Sequence, residues 1–377
     1  MPKVKGILSS CPRKDSIVEV KTKQFAHINC YILLHILLYI LYIYFPGLVA
    51  IMEGDASLNN TNLTRFMAIL TMEKLDLPPS SAFFIFIFGI FTYCLILFFH
   101  SVLLVTIVVK RDLHKPMYIL LFNLSMCDLM GATGFYPQLV CSILFQTREI
   151  SYPACALQGI VLHIYGNGSL LFLTVMSYDR YIAICKPLSY HNLMTEAVLV
   201  KLIFIVWSVN FLNIVSLFTL TLSKEICRIN IVDTFCNNPS LLKLSCEDTR
   251  LVNYYGLFGI ALFQGSSILI VSLTYIKILI TCLSTKQTQS ISKAMQTCGM
   301  HLTVFLSFEV NAFLLLISHR LQSVSPHIRR AFGVSILIFP PILNPLIYGL
   351  KTKEIRTTIF KFFISSQGRF LINLTDK

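Results

Sequence analysis

Residues 154–185 read ACALQGIVLHIYGNGSLLFLTVMSYDRYIAIC, with no Asp, Glu, Lys or Arg before Asp179. An uncharged apolar run of more than about twenty residues crosses the roughly 30 Å of bilayer hydrocarbon as a helix. Runs of the same kind recur at about 83–109, 117–141, 198–222, 251–283, 294–318 and 327–350. Of the 377 residues, 55% are hydrophobic and 13% charged, with a mean hydropathy of +0.71. A soluble domain carries about 25% charged residues. The composition predicts an all-α membrane protein, a seven-transmembrane helix bundle in the lipid bilayer. The run at about 28–51 is a candidate extra N-terminal hydrophobic helix.

The net charge of +13 does not point to nucleic acid, because the basic residues sit in short segments flanking the apolar runs. Lys110, Arg111 and Lys115 fall between the first two spans, Arg180 and Lys186 after the third, and Lys286 and Lys293 before the sixth. Lys351, Lys353, Arg356 and Lys361 follow the seventh. All share one side of a seven-span topology, which the positive-inside rule makes the cytoplasm. The domain reading is then an extracellular N-terminus at 52–82, the bundle at 83–350 and a cytoplasmic tail at 351–377. The plasma membrane is the expected location. Asn59 and Asn62 begin two glycosylation acceptors on the expected external side. Residues 1–51, basic and then apolar, read as a cleaved leader or an upstream extension, the alternative being an eighth helix. Arg320, Arg329 and Arg330 stand at the last external turn, against the rule.

The third span ends in Asp179-Arg180-Tyr181. An acid and an arginine at a helix's cytoplasmic end suit a switch in which Arg180 pairs with Asp179 in one state and swings to a partner in the other. The blander reading is a snorkelling arginine. The seventh span carries Pro340-Pro341-Ile342-Leu343-Asn344-Pro345-Leu346-Ile347-Tyr348. Proline frees a backbone carbonyl and kinks the axis. Asn344 is placed to satisfy freed groups, and Tyr348 to move when the kink at Pro345 changes. Asp128, near the middle of the second span, needs polar partners in lipid. With Ser169 and Asn344 it forms either a water or sodium pocket or a protonated structural site. Cys155 opens the third span, and the long segment 223–250 holds Cys227, Cys236 and Cys246, which leaves three pairings open. Cys94, Cys127, Cys141, Cys282 and Cys298 read as packed thiols. No CxxC pair or metal constellation calls for a metal or cofactor, and no nucleophile, base or metal set supports an enzyme.

Taken in order, these motifs resemble the olfactory (odorant) receptors, a rhodopsin-like G-protein-coupled family. Leu113-His114-Lys115-Pro116-Met117-Tyr118, with Leu124-Ser125 and Asp128, is similar to the family's second-span signature. Residues 176–185 resemble its MAYDRYVAIC. Lys293-Ala294, Thr297-Cys298 and His301-Leu302 resemble its KAxxTCxxHL, and Pro340 to Tyr348 its PPxxNPxIY. The resemblance covers about residues 55–360. The phenylalanine-rich first span and Leu241 to Cys246 look most like fish odorant receptors. The sequence departs from the pattern at His100, usually asparagine, at Ser177, usually alanine, and at Glu309, usually aromatic.

The resemblance implies disulfides Cys155–Cys236 and Cys227–Cys246, the first pinning the loop over the bundle mouth. It also implies an odorant-contacting face of Leu162, His163, Gly166, Asn167 and Leu170. By helical spacing Glu309, Phe313 and Leu316 share one sixth-span face, with Arg320 at its end. His163 is either a ligand donor or a structural histidine, and Arg320 either a carboxylate partner or a solvated loop residue. The implied function is binding a small odorant and activating a heterotrimeric G protein of the stimulatory, cyclic-AMP type. Its docking face is expected around Arg180 and Lys293–His301. A non-olfactory amine or peptide receptor is the second reading, although the third-span face offers an amine no carboxylate. A transporter would show internal repeats, and none is seen.

Overall fold

Proline and small polar residues set where most spans begin. Proline has no N–H to leave unsatisfied in a first turn, and its φ already suits a helix. The computed structural model describes residues 68–73, 78–146, 148–284, 288–321, 324–350 and 355–357. Residues 1–51 and the acceptors Asn59 and Asn62 lie outside them. Strand β1 (Ile69–Met72) precedes helix α1 (Pro79–Val109), and α2 (Pro116–Phe145) also opens on proline. Strand β2 (Glu149–Ser151) leads into α3 (Tyr152–Cys185), with Pro153 in its first turn. The short α4 (Tyr190–Leu193) is followed by α5 (Glu196–Leu222), where the Thr195 side chain accepts the Val198 N–H at 3.3 Å. Strand β3 (Asn230–Ile231), α6 (Asn238–Leu242), α7 (Arg250–Ser284) and α8 (Thr288–Arg320) come next. Helix α9 (Pro326–Pro345) starts on Pro326, is capped by Ser325, and runs on as a π turn at Leu346–Leu350.

Among the described residues seven helices are long and apolar enough to cross a membrane, namely α1, α2, α3, α5, α7, α8 and α9. They follow the expected runs within a few residues, except that α8 extends back to Thr288. Their packing inverts that of a soluble bundle. Phe83, Phe84, Phe88 and Phe91 of the first span face outward, where lipid is the solvent. His100, Asp128, Ser169 and Asn344 are enclosed by protein. The third span is the hub, packing against the second, fourth, fifth and sixth. Spans come close where a side chain is missing: a Cβ on Gly168 would stand 2.8 Å from the Cys127 sulfur.

The expected all-α architecture gains one small addition at the end of the bundle where α3 begins. The strands form a sheet in the order β2-β1-β3, β1 antiparallel to β2 and parallel to β3. Segments held over a bundle mouth must pair their buried backbone groups, and a short sheet does so. Disulfides Cys155–Cys236 and Cys227–Cys246, with Cα separations of 5.3 and 5.8 Å, pin the 223–249 segment into a lid. Gln158 reinforces it by donating to the Gly134 carbonyl at 2.9 Å and accepting the Cys236 N–H at 2.8 Å. Two cysteines depart from expectation. Cys141 is disulfide-bonded rather than a packed thiol, and Cys94 is exposed on the outer face of the first span.

The arginines that break the charge rule have structural work at this end. Arg329 donates through Nε to Asp233 of the lid at 3.1 Å and through Nη2 to the Val232 carbonyl at 3.3 Å. Arg330 pairs with Glu73, beside β1, at 2.7 Å. Arg320 donates to Asn253 Oδ1 at 3.1 Å. A guanidinium tied to a loop carboxylate cannot serve as a topology signal and a solvated charge at once.

Candidate functional site

Beneath the lid lies a cavity of about 530 Å³, within the range of small-molecule sites. The third span supplies Leu162, His163, Gly166, Asn167 and Leu170 to its wall, at the 3–4 residue spacing of one helix face. A Cβ on Gly166 would meet nothing within 4 Å, so open space reaches the backbone there. His163 Nδ1 donates to the Gly159 carbonyl one turn back at 2.8 Å. In the neutral ring this leaves Nε2 as an acceptor, the reverse of the donor role considered from the sequence.

On the sixth span the cavity face is Phe308, Ala312, Leu315, Leu316, His319 and Arg320. Leu316 and Arg320 are where the spacing puts them, but Glu309 and Phe313 stand off the wall. Each residue advances a helix by about 100°, so a face taken one position late turns its first members away. Phe313 is exposed on the outer surface, while Glu309 is buried and takes a hydrogen bond from Gln264. It is Gln264, on the fifth span, that lines the cavity.

The rim was not legible beforehand. Arg228 and Lys243 come from the lid and Arg250 from the start of the fifth span, and among the described residues no carboxylate lines the cavity. Arg250 is matched by Asp248 at 2.8 Å, which holds the exposed Asp248 carboxyl down at about 2. Among the described residues no ion pair involves Arg228, Lys243 or Arg320. The upper cavity is therefore positive, and its floor, with Leu170, Phe308 and Leu337, is apolar.

The opposite end of the bundle holds the residues expected from the sequence to form a switch. Arg180 pairs with Asp179, whose other oxygen accepts the Tyr190 hydroxyl at 2.8 Å. Asp179 is fully buried, and Tyr190 lies on α4, so the connecting loop takes part in holding the pair. Burial raises the Tyr190 phenol above its ordinary value, and the neighbouring Asp179 carboxylate acts in the same direction. Lys277 stands over the Tyr181 ring, 5.7 Å from its centroid. His301 Nε2 donates to the Leu173 carbonyl at 3.0 Å and its Nδ1 accepts the Tyr275 hydroxyl at 2.8 Å. One imidazole thus ties the sixth span to the third and fifth. Only the backbone is described at Lys293.

Between the two ends, Asn344 donates to Asp128 at 2.7 Å, joining the seventh span to the second. Among the described residues Ser169 makes no hydrogen bond there, and its hydroxyl, with Asp128 Oδ1 and Asn344 Oδ1, has no partner. The Tyr348 hydroxyl is likewise buried and without a partner among the described residues. Pro345 removes the N–H that would bond the Pro341 carbonyl in a regular helix. His100 Nε2 donates to that carbonyl at 2.8 Å and lies 3.8 Å from Asp128, so the histidine in place of asparagine keeps the first span tied to the second and seventh.

Comparisons with known proteins bear on this arrangement. The family model described as olfactory receptor matches residues 83–366. The human protein named Olfactory receptor 4K15 is 32% identical over 80% of this chain and 91% of its own length. Human Olfactory receptor 2W1 is 35% identical over 71% of this chain and 84% of its own. Squid rhodopsin shares the fold at a TM-score of 0.62, with 15% identity, covering 78% of this chain and 91% of that one.

Proposed function

Because this chain belongs to the olfactory receptor family, we propose that it binds a small organic anion beneath its lid and activates a stimulatory G protein that raises cyclic AMP. It is a multi-pass signalling receptor of the membrane and not an enzyme. The observation that carries the ligand class is the cavity lining: four guanidinium or ammonium groups at the rim, of which only Arg250 has an acidic partner among the described residues, no carboxylate among the described lining residues, and an apolar floor. An amphipathic carboxylic acid or related anion fits, its head near Arg320, Lys243 and Arg228 and its body against Leu162, Leu170 and Leu316. Guanidinium groups grip carboxylates bidentately, and a rim of one charge sign also steers ligands of the other.

In our reading the lid faces outside and the Asp179–Arg180 end faces the cytoplasm, as the distribution of lysines and arginines argues. The arrangement with Arg180 held by Asp179 and Tyr190 is the resting state. The ligand must bind the active state better, or it shifts nothing. Opening would part the sixth span from the third at His301–Leu173 and expose Arg180 to a G-protein helix in a groove.

Parallel tests of aliphatic acids, the matching amines and the neutral alcohols in a cyclic-AMP reporter assay would check the ligand class. Acids should act, and the Arg320→Ala and Lys243→Ala receptors should each lose about tenfold in potency toward them, the worth of one charged hydrogen bond. Equal potency of acids on both variants and on the unaltered receptor would overturn the anion reading. Preference for amines would favour the second reading.

A further inference from the structure

Pro340 has no N–H, so the Ile336 carbonyl, four residues earlier, loses its donor in the regular helix. A buried carbonyl without that donor needs another. The Tyr165 hydroxyl of the third span donates to it at 2.8 Å, across 171 residues of sequence. The same tyrosine is a wall of the ligand cavity. Its ring meets Phe308, the cavity-facing residue of the sixth span, edge to face at 6.2 Å. It also lies directly on the second-span backbone: a Cβ added to Gly131 would fall 2.5 Å from the Tyr165 ring.

From this juxtaposition we infer that Tyr165 is the positioning residue through which the ligand acts on the seventh-span kink. Its ring senses what occupies the cavity, and its hydroxyl caps the carbonyl that Pro340 leaves free. Gly131 and Phe308 bound the ring on two sides, so a ligand that shifts it acts on the hydroxyl bond. With the bond made, the kink is held in the arrangement in which Arg180 is paired. With it broken, the Ile336 carbonyl must find another donor, and the seventh span relaxes toward a different bend. A ligand that favours the displaced ring thereby favours the active receptor, which is the differential affinity any agonist needs.

The inference rests on the receptor reading above and is tested by a double-mutant cycle. Tyr165→Phe keeps the ring against Gly131 and removes only the hydroxyl. Pro340→Ala restores an N–H that bonds the Ile336 carbonyl from within its own helix. With surface delivery measured for every receptor, Tyr165→Phe alone should raise ligand-independent cyclic AMP about 5- to 10-fold, the worth of one buried hydrogen bond. It should increase agonist potency by a similar factor, since a larger share of receptors is already competent. In the Pro340→Ala background the same change should move either readout less than about twofold, because the hydroxyl has nothing left to supply. A purely structural tyrosine would lower surface delivery equally in both backgrounds without moving potency. An equal rise in both backgrounds, or none in either while the unaltered receptor answers its agonist, would overturn the role of Tyr165 and leave the receptor reading standing. Silence of the unaltered receptor would overturn both.

Discussion

Replacing Asp233 by alanine should collapse the lid. Asp233 is almost wholly buried, and it accepts from Arg329 at 3.1 Å, from Asn237 at 3.0 Å and from Ser240. Removing the carboxylate leaves the largely buried Arg329 guanidinium without its acidic partner, a change that costs about 3–5 kcal/mol in buried pairs. That is a large share of the stability of most folded domains. Asp233→Ala receptors should be retained inside the cell, or reach the surface with the 223–249 segment open to trypsin. Flow cytometry of a tagged receptor and a proteolysis time course would check this. Asp233→Asn keeps one acceptor oxygen, which Ser240 and Asn237 can share as they share Oδ2, and should be the milder of the two.

The same latch sets a pH dependence. Burial pushes the Asp233 carboxyl up, but Ser240, nearby His319, Asn237 and Arg329 together outweigh it, and the net shift is downward. A depressed folded value means the latch contributes fully above the unfolded value of about 3.9 and is lost as pH falls through the lower, folded one. Protease sensitivity of the lid should therefore stay flat from neutral to mildly acidic pH and rise only below about pH 4.

Asp179→Ala should produce the largest signalling change. Asp179 is fully buried and holds both Arg180 and Tyr190. Without it the resting arrangement loses a buried pair worth about 3–5 kcal/mol when one partner is removed. Ligand-independent cyclic AMP should then approach the level seen at saturating agonist. Tyr190→Phe removes one hydrogen bond to the same carboxylate and should act in the same direction by roughly tenfold. Both are read in the reporter assay, normalised to surface receptor. Signal that stays at the unaltered receptor's basal level in both would contradict the resting-state reading.

Much of the fold was legible because a bilayer leaves few options. Each span had to be long, largely uncharged and internally hydrogen-bonded, and those demands are local. The third-span face of the cavity was equally legible, since Leu162, His163, Gly166, Asn167 and Leu170 need only a helical period to converge. What escaped depends on long-range placement. Arg329 meets Asp233 across 96 residues, and the hydroxyl of Tyr165 finds a carbonyl 171 residues away. Neither partner carries a local mark of the other. The sixth-span face was offset because Glu309, the conspicuous residue, was made its anchor, when the face follows Phe308 and Ala312. Glu309 instead supports Gln264, which does reach the cavity. The positive rim escaped for a related reason: Arg228 and Lys243 lie in a loop whose path is set by two disulfides and by Gln158, and that loop ends on Arg250 at the start of the fifth span.

The most direct measurement fills the cavity. Gly166→Phe places a ring in open space on the cavity wall, where a Cβ meets nothing within 4 Å, and glycine's removal favours the helix. Cyclic-AMP dose–response curves for the most potent acid would be recorded on unaltered and Gly166→Phe receptors at matched surface density. The unaltered receptor should respond, and the filled one should lose the response while keeping its basal signal. An undiminished response with the cavity filled, or no response of the unaltered receptor to any acid, amine or alcohol, would contradict the account.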